Sequence, residues 1–239
     1  DLYFVGYILC LIYIMIQNGI KVKRHRRKNV KIIVEAFREC YSKGLTSEND
    51  IMEPLENYLR FIREAELLKS TLRTAWTAAG RQESTAEHSW RLALFAGVLA
   101  PSFPALDLRR VLMMCLIHDL GELYTGDVSA ALEPDAAEKY EEEHQAARRI
   151  FSLLPESQAA ELLQLWREYG AGETPEARFV KALDKAETII QHNQGSNPPE
   201  FDYEFNLGYG KKYFRDDPLL AQLREAIDAD TRARLAAEA

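Results

Sequence analysis

Four ionisable side chains, His118, Asp119, Glu122 and Asp127, follow directly on an apolar run. That run, Val111-Leu112-Met113-Met114-Cys115-Leu116-Ile117, is apolar on almost every face, so a helix there belongs to the core. Charged groups in such a place need partners. An ionised carboxylate inside a protein is costly unless it is paired, hydrogen-bonded or bound to a metal, and one metal ion would satisfy His118 and Asp119 together. On a helix, His118 and Glu122 are four apart and share a face, with Asp119 turned about 100° away. Glu122 would then stand near a water on that metal. Gly121 and Gly126 weaken the helix and put Asp127 at its end or in the turn after it. The chemistry this suggests is hydrolysis by a metal-activated water with carboxylate help.

Other residues gain meaning only beside these. His88 lies four, seven and eleven residues before Leu92, Phe95 and Leu99, so its imidazole is on a buried helix face; taken alone it reads as a hydrogen-bonded core histidine. Asp184 lies about 100° off the Leu183 stripe, and by itself could pair with Lys181 or Lys185. Arg73 and Trp76 are the residue types that fork onto a phosphate and stack on a base; alone they read as a surface arginine and a core tryptophan.

The elements needed to position these groups are helices. Thr46-Ser47-Glu48-Asn49-Asp50 caps a helix over 51–68, and Ser84-Thr85-Ala86-Glu87 has capping-box form and opens one over 87–99. The central helix starts at Leu106-Asp107-Leu108. Amphipathic spacing predicts further helices over 136–154, 156–169, 175–193 and 218–237. His144 falls among acids on a solvated face of the first of these. Residues 194–213 read as a long loop or lid with one short helical piece. No strand is predicted, so the fold class is all-α, with an apolar helix appended at the N-terminus.

Composition sets outer bounds. Hydrophobic residues at 47% and charged residues at 28% describe a globular chain with a good-sized core, not a disordered one. Cys10, Cys40 and Cys115 are odd in number and widely spaced, which argues against a disulfide framework or a thiolate zinc site and suits a reducing, cytoplasmic compartment. Seven Lys and Arg against Asp1 give the first 31 residues a charge of +6, leaving −13 for the rest of a chain that totals −7. An acidic body is unsuited to polymeric nucleic acid but can hold one small phosphate through local contacts and a metal. Residues 1–45 form an apolar and basic extension ahead of a domain at 46–239. Its apolar residues 2–20 are close to the roughly 20 that cross a bilayer, with a basic flank that would keep the domain on the cytoplasmic face. A short membrane anchor and a non-native segment are the two readings.

Taken jointly, the motifs resemble the HD-domain metal-dependent phosphohydrolases. His88, His118-Asp119 and Asp184 match the family's H...HD...D pattern. Leu72-Arg73-Thr74-Ala75-Trp76, Arg81-Gln82-Glu83-Ser84-Thr85-Ala86-Glu87-His88, His118-Asp119-Leu120-Gly121-Glu122, Thr125-Gly126-Asp127 and Phe179-Val180-Lys181-Ala182-Leu183-Asp184-Lys185 resemble its 5'-deoxynucleotidase branch. Leu72 and Gln82 stand where relatives often carry Pro. The resemblance covers residues 55–230 and implies an HD-domain helical bundle and a divalent metal (Mn, Co, Fe, Zn or Mg) held by His88, His118, Asp119 and Asp184. It also implies Glu122 and Asp127 as catalytic acids, Arg73 and Trp76 as substrate contacts, a deoxyribonucleoside 5'-monophosphate substrate and a homodimer. Two alternatives stand beside it: an HD phosphohydrolase acting on another nucleotide such as a triphosphate, and a non-catalytic nucleotide- or metal-sensing module.

Overall fold

The computed structural model describes residues 48–238 apart from 129–131 and 133–134. The N-terminal stretch with its anchor reading, Cys10 and Cys40 lie outside the described residues. No described helix is long and apolar enough to cross a membrane. The compact unit that carries the site runs from Glu56 to Ala239.

The fold is a helical bundle with one small hairpin. In chain order the elements are α1 (Glu48–Ala65), β1 (Leu72–Trp76), β2 (Gln82–Ser84), α2 (Thr85–Leu99), α3 (Leu108–Ile117), α4 (Ala136–Phe151), α5 (Glu156–Ala171), α6 (Pro175–Gln194), α7 (Glu204–Gly208) and α8 (Pro218–Glu238). Helix starts follow the caps. The Ser84 hydroxyl accepts the Glu87 N–H while the Glu87 carboxylate accepts the Ser84 N–H at 2.9 Å, completing the predicted capping box. Asp107 caps α3, Asp135 caps α4, and Thr174 with Pro175 opens α6.

Helix α6 is the axis of the bundle. Val180, Leu183, Ala186 and Ile189 are all fully buried along it. Around them pack Leu92 and Ala96 of α2, Val111, Met114 and Cys115 of α3, Trp166 of α5 and Ile227 of α8.

Two features depart from the sequence reading. The first is the antiparallel pair β1–β2, with Leu72 opposite Ser84, Trp76 opposite Gln82 and an irregularity between them. Its two strands are too short to show an alternation, and tertiary contacts hold it. Thr77 N–H bonds the Arg81 carbonyl at 2.8 Å, and the Gln191 side chain of α6 donates to the Trp76 carbonyl. Gly195, at the end of α6, lies so close that a Cβ there would sit 2.3 Å from the Trp76 carbonyl oxygen. The second is His144, expected on a solvated face. Its ring clusters with those of Tyr140 and Trp166, each 5.8 Å away, and its Nε2 accepts from Arg167 at 2.8 Å.

The stretch after α6 is a fixed strap. Arg224 of α8, ion-paired to Asp228 at 2.7 Å, donates to the carbonyls of Asn206 and Leu207, and the Nδ1 of His192 lies 2.8 Å from Asn206 Oδ1.

Candidate metal centre

Helix α3 ends at Ile117, and His118 and Asp119 turn the chain into a 3₁₀ segment, Leu120–Leu123. The continuous helix expected to join His118 to Glu122 is therefore broken between them. The break points both His118 and Asp119 inward. The Nδ1 of His118 faces the Cys115 carbonyl at 3.0 Å. A carbonyl only accepts, so Nδ1 carries the proton and Nε2 presents a lone pair. The Trp166 indole donates to the His118 carbonyl at 2.9 Å and pins the turn from the other side.

His88, in the first turns of α2, is fully buried. Its Nδ1 is hydrogen-bonded to Glu187 of α6, which again leaves Nε2 as the inward atom. Burial and the Arg73 charge oppose protonation of this ring, but Glu187 and Asp184 outweigh them and push it up to about 9, as expected for an imidazole facing acceptors from both nitrogens.

Asp119 Oδ2 lies 3.1 Å from His118 Nε2 and 3.8 Å from His88 Nε2, and Asp184 Oδ1 lies 3.2 Å from His88 Nε2. Yet His88 Nε2, His118 Nε2 and Asp119 Oδ2 are buried without a hydrogen-bond partner. His88, His118 and Asp119 each offer a ligand atom, all within 4.8 Å of one another. Inward-facing buried atoms of this kind, two nitrogens and carboxylate oxygens, are the donor set of a divalent transition metal, and a cation among them would satisfy every one. The residues fit the group.

The outer contacts reinforce the fit. Asp184 keeps Oδ1 inward because Oδ2 is occupied, accepting from the Tyr169 hydroxyl at 2.6 Å and from Lys185 at 2.8 Å. Burial works against its charge, but Lys185 and the histidines hold its carboxyl well below the usual carboxylate range. Asp119 is likewise held low against burial by His118, His88 and Arg73.

His118, Asp119 and Asp184, with His88 buried behind them, lie at the floor of a cavity of about 480 Å³ that also takes in Arg73, Glu122, Asp127, Lys181 and Lys185. Arg73, on β1, reaches into it with Nη2 donating to Thr188 at 3.1 Å, Nε 3.3 Å from Glu83 and Nη1 3.6 Å from Asp119. Burial disfavours its charge, but Asp119, Glu187, Asp127 and Glu83 together keep it firmly a cation. Glu122 is buried, with Thr85 the donor nearest its Oε2 at 3.4 Å. Burial and the like charges of Asp119 and Asp127 push its carboxyl well above the usual range. Asp127 stands at the rim, where Lys139 of α4 donates to the next carbonyl, that of Val128, at 2.9 Å. Trp76 is not brought to the cavity wall; its ring packs edge-on against Phe201 at 6.1 Å.

The family model that matches this chain is described as the HD domain and covers residues 65–223. The chain belongs to the HD-domain family. It is 32% identical over 188 residues to 5'-deoxynucleotidase HDDC2 of Bos taurus, across 77% of this chain and 90% of that protein. The Homo sapiens protein of the same name is 32% identical over 187 residues, across 76% and 89%. A predicted metal-dependent phosphohydrolase from Magnetospirillum magnetotacticum, of solved structure, superposes with a TM-score of 0.67 at 34% identity, across 76% of this chain and 94% of that one.

Within this HD domain several residues matter that the sequence reading passed over. Glu187, one turn beyond Asp184, orients His88 with one oxygen and takes Arg91 with the other. An acid three residues past Asp184, inside an apolar stripe, was the available signal. Tyr169 and Thr188 had none, because nothing in their own segments marks a hydroxyl that meets Asp184 or Arg73 from another element.

Proposed function

We infer that this HD-domain protein is a metal-dependent phosphomonoesterase that hydrolyses deoxyribonucleoside 5'-monophosphates to deoxynucleoside and phosphate. The observation that carries this reading is the gathering of His88, His118 and Asp119 ligand atoms within 4.8 Å of one another, with Asp184 Oδ1 3.2 Å from His88 Nε2, at a cavity lined by Arg73 and Glu122. Its likeness to two proteins named 5'-deoxynucleotidase supports the substrate class.

His88, His118, Asp119 and Asp184 would hold the divalent ion, for which Mn, Co, Fe, Zn and Mg are the candidates. Such an ion, when bound, supplies a water of lowered pKa and neutralises charge on the phosphoryl group. The chain's own residues do the remainder. Arg73 binds the phosphate, held in place by Glu83 and Thr188. Glu122, its carboxyl raised by burial and by the charges of Asp119 and Asp127, takes a proton from the attacking water. Asp127 at the rim assists the nucleophile or the leaving oxygen. Trp76 serves the substrate side from behind, by fixing the end of the strand that carries Arg73.

A purely sensing module has no evident use for Glu122, a carboxyl kept near the ligands at an electrostatic cost. Supporting the domain at 46–239 as one functional piece, every proposed site residue lies between Arg73 and Asp184. A homodimer is part of the same proposal, with sedimentation as its check.

The test is phosphate release from a panel of nucleotides with added Mn or Co. Release of one phosphate from deoxynucleoside monophosphates, abolished in His118→Ala, is expected. Triphosphate release from deoxynucleoside triphosphates, or full activity in His118→Ala at normal metal content, would overturn the reading.

A further inference from the structure

The α6 wall of the cavity carries two lysines in different circumstances. Lys185 is matched, its amine 2.8 Å from Asp184 Oδ2. Lys181, three residues before Asp184, is not: among the described residues no carboxylate lies within ion-pair distance of its amine. That amine sits over the Tyr169 ring at 4.2 Å, with the Tyr213 ring at 5.8 Å. Its stem is held as well. Gly172, in the left-handed conformation at φ +65°, ends α5 against it, and a Cβ there would come within 3.0 Å of Lys181 Cδ and Cε.

The environment gives this charge less than it needs. Burial and neighbouring Lys185 pull the amine down to about 8, with Asp184 pulling the other way. A cavity-facing cation that is fixed, partly desolvated and short of a counter-charge is a place where an anion is favoured. Its location matters too. The Tyr169 hydroxyl donates to Asp184 and its ring lies 4.9 Å from the His118 ring, so the amine stands one aromatic ring away from the metal ligands.

Arg73 brings one positive charge, already shared with neighbouring acids: Nη2 donates to Thr188 at 3.1 Å, while Nε lies 3.3 Å from Glu83 and Nη1 3.6 Å from Asp119, so alone it does not balance a phosphate dianion. The Lys181 amine, over the Tyr169 ring, lines the same cavity and, among the described residues, is in no ion pair.

We propose that Lys181 is a second anion contact of the cavity, its ammonium meeting a phosphate oxygen of the substrate that Arg73 does not reach. This rests on the phosphomonoesterase reading of the same cavity, and the test separates the two. Inorganic phosphate is titrated calorimetrically into the Mn-loaded protein, and kinetics are measured on deoxynucleoside monophosphates of all four bases. Lys181→Met is expected to weaken phosphate binding about tenfold or more, and to raise KM by a similar factor for every base with a smaller effect on kcat. Lys181→Arg should restore both to within about threefold. Phosphate binding by Lys181→Met within about twofold of the unsubstituted protein, or a KM change confined to one base, overturns the proposal. If melting shows that Lys181→Met has lost its fold, Lys181→Gln carries the same comparison. An unsubstituted protein that binds phosphate through Lys181 but hydrolyses no nucleotide would sink the phosphomonoesterase reading and leave the anion contact standing.

Discussion

Replacing Glu187 with Gln or Met tests whether the proposed metal centre depends on a residue outside its four proposed ligands. Glu187 is buried, with one carboxylate oxygen on the Nδ1–H of His88 and the other on Nε of Arg91 at 2.5 Å. A carboxylate accepts from both neighbours, whereas an amide has one acceptor and one donor. In Glu187→Gln the amide must choose. If its NH₂ faces His88, the imidazole takes the wrong tautomer and loses the Nε2 lone pair that ligates. If its oxygen faces His88, its NH₂ opposes a donor of Arg91. The second arrangement wins, because His88 is fully buried while the Arg91 side chain is 29% exposed and water can separate the clashing donors. An unsatisfied buried group costs about 1–3 kcal/mol, more than a partly solvated one.

Glu187→Gln therefore keeps the tautomer but loses the anionic partner, and the metal affinity should fall about tenfold, equal to about 1.4 kcal/mol. Glu187→Met removes the acceptor altogether and should fall about a hundredfold, with a lower melting temperature for the metal-free protein. Metal titration followed by calorimetry reads both, and excess metal should recover part of kcat. A metal affinity in Glu187→Met within about twofold of the unsubstituted protein would refute the reasoning.

Four further substitutions follow from the same geometry. Gly121→Ala would put a Cβ 2.8 Å from Glu143 Cβ and 2.9 Å from its carbonyl oxygen, so the turn carrying Glu122 must move off α4. A loss of about 1–3 kcal/mol in urea unfolding and a fall in kcat larger than any change in KM are expected; an unchanged kcat would show that Glu122 does not depend on that packing. Arg73→Lys should raise KM for all deoxynucleotides about tenfold or more, while Trp76→Phe changes it by less than about threefold, since Trp76 lies outside the cavity wall. A larger effect from Trp76→Phe would return Trp76 to direct substrate contact. Arg81 holds the capping carboxylate of Glu87 down to about 2, with burial opposing and Ser84 adding to the effect. A depressed carboxyl stabilises the fold above its unfolded value of 4.5 and loses that contribution as pH falls toward 2. Because the pair is exposed, Glu87→Gln should cost no more than about 1 kcal/mol at pH 7 and flatten the acid limb of stability below pH 4.5. A Glu87→Gln stability curve parallel to the unsubstituted one through that window would count against it.

The helices were legible because each has a local cause. Ser84 and Glu87 close a box, Thr174 and Pro175 start α6, and apolar spacing marks the faces that bury. The four proposed ligands were legible only as a set, since His88 alone is an ordinary core histidine and Asp184 alone an ordinary ion-pair partner. What escaped is decided across the bundle. The β1–β2 hairpin owes its form to Gln191 and the close approach of Gly195, not to strand patterning. The break after Ile117 escaped because the apolar run before it continues in helical spacing to Leu120, while the Cys115 and His118 carbonyls find their partners, His118 Nδ1 and the Trp166 indole, in the folded core. Glu187 was hidden by the ease with which a charge on a long helix reads as solvent-facing.

Helix α6 places Lys181, Asp184, Lys185, Thr188 and His192 on the cavity and Glu187 and Gln191 on its supports, all from one unbroken run of backbone. Each added or deleted residue within that run would rotate everything after it by about 100°. A deletion between Asp184 and Glu187 would thus part the ligand from the residue that orients His88, even if every side chain type were kept. The length of α6 is therefore as constrained as the identity of its buried residues. A one-codon insertion or deletion within α6 would disturb the buried stripe of Ala186 and Ile189 along with the cavity residues beside it.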